Sequence, residues 1–439
     1  MTKQAECAGS AGGLAGTGGL ADAADERAGA AGATGGLASA ADGLAGTGAA
    51  GVGELAGTGE LAGTGELAGT GELAGTGELE GAADELAGEL ATLQRYLETC
   101  EGLRRALGIE GPAPQLLRFA QGECNVNYWF AAPQAALDRL DARGGVRSDR
   151  LVLRVNHASQ MHLENQIAYE FSALDLLEPC GRTPRTLWCD ASRTAVPWGV
   201  GVEEFLPGRP LAYETDMTQA AHILADVHAV EVPTAARQTL ICPANPLLRI
   251  AQECRQMFEK YRSWHAAEDF VLTLVDAMMR AAFAIAQDAG ELAGQRLCIA
   301  NTELNSHNFL IGDDGRPSYL IDWEKPLLSV AEQDLSHFLV PTTTNWKTET
   351  ILNRTQRDAF LDEYDEAVAG RFPTQGLRER LDGYLTVTCL RGITWCAMAC
   401  VDYTEGGPGL RNEDTFAKIK KFLSREYLEM IWSDFYCEA

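Results

Sequence analysis

The sequence predicts an α+β fold with two lobes, a small β-rich N-lobe and a larger helical C-lobe. First, residues 1–82 consist almost entirely of Gly, Ala, Thr, Leu and acidic residues, which cannot form a hydrophobic core. Second, strand-like segments are concentrated between residues 109 and 207. Third, apolar residues from position 208 onward recur mostly at helical spacing. A sheet followed by helices is the order expected of an α+β protein.

The segment 1–82 is predicted to be a disordered tail, rich in Gly, Ala and Glu. The hexapeptide ELAGTG begins at Glu54 and recurs up to Glu72. Two glycines in every six residues and the lack of aromatic side chains leave too little apolar surface to offset the chain entropy. A period of six is also that of a left-handed β-helix, so this alternative stays open.

The charge of the chain argues against two classes of partner. Residues 1–90 contain 14 acidic and 2 basic side chains, so −12 of the formal net charge of −26 lies there and the rest of the chain is also acidic. Nucleic acids and anionic membranes are bound by basic patches, so we expect neither as a partner. The oligomeric state stays open.

Cellular location follows from apolar segments and cysteines. The sequence contains no run of 18 apolar residues and no apolar segment after Met1 that resembles a signal peptide. The twelve cysteines are scattered, which favours reduced thiols over disulfides or a zinc site. We therefore expect a cytoplasmic protein.

The N-lobe is predicted over residues 109–207, after a helix over 83–108. Leucines recur at helical spacing from Leu86 to Leu107, and Gly108 ends the pattern. Alternating and β-branched residues predict strands at 115–120, 127–130, 150–155 and 199–206, and a helix is predicted over 161–177.

The C-lobe is predicted over residues 208–439 and is mostly helical. Only the region 297–323 interrupts it with strand-like runs. Helices are predicted at about 216–230, 246–263, 267–289, 355–369, 376–403 and 413–434.

Polar side chains in the region 297–323 form the candidate active site. The sequence CIANTELNSHNFLIG, residues 298–312, places Glu303 and Asn308 between two short apolar runs, and Asp322 follows the next turn. A β-hairpin over this region brings the three side chains together. Phosphoryl transfer needs such a set, because an acid orients or deprotonates the attacking hydroxyl while an amide and a carboxylate hold Mg²⁺.

The sequences NTELNSHN at 301–308 and IDWE at 321–324 resemble the catalytic and metal-binding segments of the aminoglycoside phosphotransferase and choline kinase-like superfamily, which has a protein-kinase-like fold. That family usually has His-Gly-Asp where this chain has Asn-Thr-Glu. The resemblance implies that Glu303 is the catalytic acid, one methylene longer than the usual Asp. It also implies that Asn308 and Asp322 bind Mg²⁺.

The same resemblance assigns two further segments to ATP. The sequence QGECNVNY at 121–128 resembles the family's loop over the nucleotide phosphates, so Gly122 and Asn125 are expected at the nucleotide. The segment that includes Glu204 and Phe205 resembles the linker between the lobes, where backbone groups are expected to meet adenine.

A cation and its partner complete the expected nucleotide site. Arg154 stands where the family usually has the Lys that holds the α- and β-phosphates, and Arg retains a fixed charge there. Glu170 stands where a helix supplies the partner of that cation, with Glu164 as the reserve candidate. Asp334 is expected to brace the catalytic loop, and His228 is expected to be structural.

Two functions remain open from the sequence. The first is an ATP-dependent phosphotransferase that moves the γ-phosphate to a hydroxyl of a small molecule, which is aminoglycoside-, choline- or sugar-like. The alternative is a nucleotide-binding pseudokinase or scaffold without turnover, suggested by Asn-Thr-Glu at 301–303 and by Arg154. The acceptor, the choice between ATP and GTP and the role of the tail are not fixed by the sequence.

Overall fold

The computed structural model describes residues 76–121, 124–292, 294–313, 315–406 and 413–437, with side chains from residue 87 onward. Gly122 and the predicted tail up to residue 75 lie outside the described residues.

The N-lobe contains a five-stranded antiparallel sheet whose strand order is β1-β2-β3-β5-β4. The four predicted strands are present, and β4 is an additional strand at the edge next to β5. The sequence did not predict β4, because it is short and only partly buried. The strands are β1 (Leu117–Gln121), β2 (Asn125–Ala131), β3 (Arg150–Asn156), β4 (Thr186–Asp190) and β5 (Gly199–Glu204).

Four helices belong to the N-lobe: α1 (Thr76–Thr99), α2 (Glu101–Leu107), α3 (Gln134–Ala142) and α4 (Gln166–Leu177). The single helix predicted over 83–108 is two helices, because the backbone is extended at Cys100. α1 also begins before residue 83, inside the segment that the sequence assigns to the tail.

The C-lobe combines two small sheets with nine helices in the described residues. The strands are β6 (Arg209–Pro210), β7 (Cys298–Ala300), β8 (Phe309–Ile311), β9 (Tyr319–Leu320) and β10 (Leu327–Ser329), which pair as β6-β8-β9 and β7-β10. The helices are α5 (Met217–His228), α6 (Pro246–Arg262), α7 (Asp269–Ala289), α8 (Ala331–Leu339), α9 (Pro341–Lys347), α10 (Arg354–Val368), α11 (Leu377–Glu405), α12 (Glu413–Phe422) and α13 (Arg425–Phe435).

Two differences from the predicted helices concern the C-lobe. α8 and α9 were not predicted, because both are short and α9 is rich in Thr, which has a low helix propensity. The helix predicted over 413–434 is two helices, since the Ser424 side chain caps the start of α13 by accepting from the Tyr427 N–H.

Two large hydrophobic clusters form the interior: one joins the N-lobe sheet to α1, α2 and α3, and the other joins the C-lobe helices to the buried face of α4. A small cluster of Leu206, Leu310, Tyr319 and Ile321 joins the linker after β5 to the β8–β9 hairpin. Within the described chain, α11 is the one helix long and apolar enough to cross a membrane, and 78% of that stretch is buried inside the protein as a core helix.

Candidate active site

The β8–β9 hairpin places Asn308 next to Asp322. Phe309 pairs with Leu320 across the hairpin, and the Ile321 N–H donates to the Asn308 carbonyl at 2.9 Å. The Asn308 side-chain amide donates to the Glu303 carbonyl at 2.6 Å. The three residues that the sequence singled out for catalysis and metal binding therefore lie together.

Asp334 holds the loop that carries Glu303. Its two carboxylate oxygens accept from the backbone N–H groups of Asn301 and Thr302, each at 2.8 Å. His228 is fully buried and lies 3.3 Å from Asp334, and its other ring nitrogen lies 2.8 Å from the Tyr364 hydroxyl. Asp334 thus braces the loop, as the resemblance implies, and His228 is a buried structural side chain, as expected from the sequence.

Thr302 occupies the position where the resembled family usually has Gly, and its backbone explains that preference. Its φ is +71°, in the left-handed region that a β-branched residue rarely adopts. The Thr302 hydroxyl donates to the Lys325 carbonyl at 2.9 Å, and this contact offsets part of the strain. Asp322 also has a positive φ, of +60°.

Arg154 links the N-lobe to Asp322, which follows the β8–β9 hairpin. Its Nε lies 2.6 Å from Glu170 Oε1, and its Nη2 lies 2.9 Å from Asp322 Oδ1. Arg154 and Glu170 are 5% and 1% exposed. Burial would lower the pKa of Arg154, but Glu170 and Asp322 raise it, so the guanidinium stays charged. Burial raises the pKa of Glu170 to about 7, against the effect of Arg154.

Close packing of α4 on the sheet makes the Arg154–Glu170 contact possible. Gly201 pairs with Arg154 across β3 and β5, and the ring of Phe171 from α4 lies directly over it. A Cβ at Gly201 would approach that ring to 2.1 Å. The glycine therefore lets α4 approach the strand that carries Arg154.

Glu303 forms an ion pair with Lys325, which lies three residues after Asp322. Burial would raise the pKa of Glu303, but the charges of Lys325 and Arg391 lower it. Burial would also lower the pKa of Lys325, and Glu303 raises it. The carboxylate and the ammonium are therefore both charged.

A second ion pair lies on the C-lobe side of Glu303. Arg391 of α11 contacts Glu253 of α6 through two bonds, of 3.2 and 3.3 Å. His337 accepts the Leu304 N–H at 3.0 Å through Nδ1. Burial and the charge of Arg391 lower the pKa of His337 to about 4, so this imidazole is neutral.

The side chain of Asn125 belongs to a buried hydrogen-bond network. Asn125 donates to Glu324 Oε2 at 2.8 Å and accepts from Asn156 at 3.0 Å. Burial and the nearby Asp322 and Glu303 raise the pKa of Glu324 well above its usual range. Asn125 therefore connects the start of β2 to Glu324, which follows the β8–β9 hairpin. Gly122 is outside the described residues.

The predicted adenine-binding segment lies at the end of β5. The Glu204 carboxylate is fully buried between Arg185 and Arg147, at 2.7 and 3.0 Å, so it is structural. The Glu204 N–H donates to the Arg185 carbonyl at 3.0 Å, and the Phe205 N–H donates to the Arg150 carbonyl at 3.4 Å. These two N–H groups already have partners.

Asn308 and Asp322 fit a magnesium ion by the chemistry of their oxygen atoms. Mg²⁺ prefers oxygen ligands and is usually held by one or two side chains together with phosphates and water. The Asn308 nitrogen is committed to Glu303, so its amide oxygen is the atom that a cation would bind. Within the described ranges, no three His, Cys, Asp or Glu side chains form a metal-binding group. A cation here would therefore depend on phosphate oxygens.

Sequence reasoning missed the cluster of Lys325, Arg391, Glu253 and His337. Lys325 follows Glu324 and His337 follows Ser336, so both lie in segments that carry the resemblance. Their proximity to these motif residues could have identified them as candidates. Arg391 and Glu253 lie on helices about 140 residues apart, so only the packing of α6 against α11 reveals their contact.

Two solved structures share this fold. One is assigned to an aminoglycoside phosphotransferase of Ralstonia eutropha; it is 13% identical, has a TM-score of 0.55, and the match covers 78% of this chain and 97% of that chain. The other is choline kinase from Cryptosporidium parvum Iowa II, at 11% identity and a TM-score of 0.50, with 79% and 94% covered. The two likenesses agree with the predicted two-lobed, protein-kinase-like fold.

The sequence itself also matches a known family. No curated protein matches the chain. A family model described as the phosphotransferase enzyme family matches residues 118–377, more than half of the chain. The chain therefore belongs to the phosphotransferase enzyme family.

Proposed function

We propose that the protein is an ATP-dependent phosphotransferase that moves the γ-phosphate to a hydroxyl of a small molecule. One observation carries this proposal: Glu303, Asn308 and Asp322 lie together on a loop and hairpin, and Arg154 reaches the same hairpin from the N-lobe. An acid, an amide, a carboxylate and a cation in one place are the parts that phosphoryl transfer requires.

The nucleotide side of the proposed site is formed by Arg154, Asn308 and Asp322. Arg154 has a fixed charge and would contact the phosphates while Glu170 keeps it in place. Asn308 and Asp322 would hold Mg²⁺, which neutralises charge on the phosphates when it is bound. Because Asp322 already contacts Arg154, the two oxygens of this carboxylate would serve both cations.

Glu303 would act on the acceptor. The acceptor oxygen forms a bond to the γ-phosphorus, the bond between that phosphorus and the bridging β–γ oxygen breaks, and ADP leaves with the electron pair. The hydroxyl proton passes to the Glu303 carboxylate. Against the effect of burial, the charges of Lys325 and Arg391 lower the pKa of Glu303, so the group is ionised at neutral pH, and release of Lys325 would make it a stronger base.

The acceptor would enter from the C-lobe side, where α6 and α11 bring Glu253 and Arg391 towards Glu303. An aminoglycoside-, choline- or sugar-like molecule is proposed because the family includes kinases for each class. The acidic charge of the chain supports the further proposal that it binds neither nucleic acid nor anionic membranes, and the scattered cysteines support the proposal of a cytoplasmic protein.

The test is ATP consumption with Mg²⁺ across a panel of hydroxylated amines, aminoglycosides, sugars and nucleosides, with ³¹P NMR of the product. We expect ADP formation that depends on one acceptor class, and a phosphate ester on that acceptor. Tight binding of Mg·ATP with no turnover on any acceptor would favour a nucleotide-binding scaffold instead.

A further inference from the structure

Lys325 is the cation that pairs with Glu303, the proposed catalytic acid. It lies three residues after Asp322, and its ammonium contacts Glu303 Oε1. Its side chain is 16% exposed and that of Glu303 is 25% exposed, so the ion pair is shielded from most of the solvent. The resemblance to known phosphotransferases assigns no role to Lys325.

The backbone of Lys325 is fixed on both sides. Its carbonyl accepts the Thr302 hydroxyl at 2.9 Å, and the next carbonyl, of Pro326, accepts the Tyr169 hydroxyl at 2.6 Å. The side chain has four flexible methylenes, and its ammonium is a compact charge with three donors. Movement of Lys325 is therefore confined to the side chain, which can exchange one anionic partner for another without disturbing the loop.

Glu303 would have two partners in the proposed reaction, Lys325 and the acceptor hydroxyl. In this structure one of its carboxylate oxygens is occupied by Lys325. Arg154, the cation on the other side of Asp322, is held by Glu170 and Asp322. Lys325 is thus the cation that shares Glu303 with the acceptor hydroxyl, and its departure would leave both carboxylate oxygens to the hydroxyl.

We propose that Lys325 is a catalytic residue that contacts the γ-phosphate when nucleotide is bound and thereby frees Glu303 for the acceptor hydroxyl. This inference rests on the proposed function. The acceptor hydroxyl held by Glu303 attacks the γ-phosphorus, so a bound γ-phosphate would lie close to the ammonium that pairs with Glu303, and a cation stabilises most where the transferred charge develops. Lys325 stays protonated throughout, and the hydroxyl proton still passes to Glu303.

The experiment compares two nucleotides that differ in the γ-phosphate. Binding of Mg·ADP and of the Mg·β,γ-imido analogue of ATP is measured by calorimetry for wild type, Lys325→Met and Lys325→Arg. We expect Lys325→Met to weaken binding of the triphosphate analogue at least tenfold and binding of ADP less than twofold. Lys325→Arg should retain most of the affinity for both. Lys260→Met removes a surface lysine paired with Asp402 and is the matched control, expected to change neither affinity.

A double variant separates direct contact from repulsion. Lys325→Met leaves Glu303 without its counter-ion, and that charge alone would repel a γ-phosphate. In Lys325→Met/Glu303→Gln the negative charge of Glu303 no longer repels the γ-phosphate. We expect binding of the triphosphate analogue to remain at least tenfold weaker than in wild type. Recovery in the double variant, or an equal loss for both nucleotides, would overturn the inference while leaving the proposed function standing. Wild type that binds neither nucleotide would overturn both.

Discussion

Arg154 Nε and Glu170 Oε1 lie 2.6 Å apart between β3 and α4, and both side chains are buried. A buried ion pair of this kind is costly to break, because the remaining carboxyl stays buried without its cation and must either carry an uncompensated charge or take up a proton. The same guanidinium reaches Asp322, so the pair connects the stability of the N-lobe to the geometry of the segment after the β8–β9 hairpin.

Arg154→Met is expected to lower the free energy of unfolding by about 3–5 kcal/mol, because it leaves Glu170 unpaired. Arg154→Met/Glu170→Leu removes both charges and is expected to recover most of that stability. Neither variant is expected to bind Mg·ATP, since the phosphate-binding cation is gone. Urea denaturation and calorimetry measure the two effects separately. Full ATP affinity in the double variant would show that Arg154 has no role at the nucleotide.

Thr302 provides a test of local strain in the catalytic loop. Thr302→Val keeps the β-branched side chain at φ +71° but loses the hydroxyl bond to Lys325, so we expect a loss of about 1–2 kcal/mol in the free energy of unfolding. Thr302→Gly loses the same bond but also relieves the strain, so we expect it to lie within about 1 kcal/mol of wild type. Urea denaturation of both variants measures the difference. Thr302→Gly as unstable as Thr302→Val would contradict the assigned strain.

His337 is expected to make stability depend on pH. Its pKa is about 4 in the folded protein, against 6.5 for an ordinary histidine. The unfolded chain therefore takes up a proton that the folded state rejects, so stability is complete above pH 6.5 and falls as the pH drops towards 4.

The corresponding measurement is urea unfolding of wild type and His337→Asn between pH 7.5 and 5. Asn can still accept the Leu304 N–H, so the variant removes mainly the titration. We expect the wild-type free energy to fall more steeply below pH 6.5, by up to about 1.4 kcal/mol per pH unit. The exposed His222→Asn is the control and keeps the wild-type slope. An unchanged slope in His337→Asn would show that another group causes the dependence.

The parts of the site predicted from sequence are those formed within one continuous segment. Glu303, Asn308 and Asp322 are brought together by a single loop and hairpin, which a strand–turn–strand pattern reveals. The partner of Glu303 was not predicted, because the position of the Lys325 ammonium depends on its side-chain conformation. The pairing of Arg391 with Glu253 depends on how α6 packs against α11, and no local pattern reports that.

The same distinction applies to the fold. Long periodic helices such as α6 and α7 were predicted to within a few residues, because their apolar spacing is regular. The edge strand β4 and the break at Cys100 were missed. Both depend on contacts with neighbouring elements more than on local sequence, since Trp188 of β4 packs closely against Gly102 of α2.

Removal of residues 1–80 is expected to leave folding and nucleotide binding intact, whereas damage further along α1 is expected to be severe. Leu97 of α1 is fully buried in the N-lobe core, so Leu97→Ala should lower the free energy of unfolding by about 2–5 kcal/mol. Thermal melting of the truncated protein and of Leu97→Ala compares the two changes. A large drop in melting temperature for the truncation would contradict the assignment of these residues to a dispensable tail.

The most direct test of the proposed transfer compares acceptor-dependent ADP formation by wild type, Glu303→Gln and Asp322→Asn across the acceptor panel. We expect wild type to turn over one acceptor class and each variant to lose at least about a hundredfold in rate. Glu259→Gln, at an exposed carboxylate of α6, should retain wild-type activity. Turnover that is unchanged in Glu303→Gln would contradict the role assigned to this carboxylate, and Mg·ATP binding without turnover on any acceptor would contradict the proposed phosphotransferase.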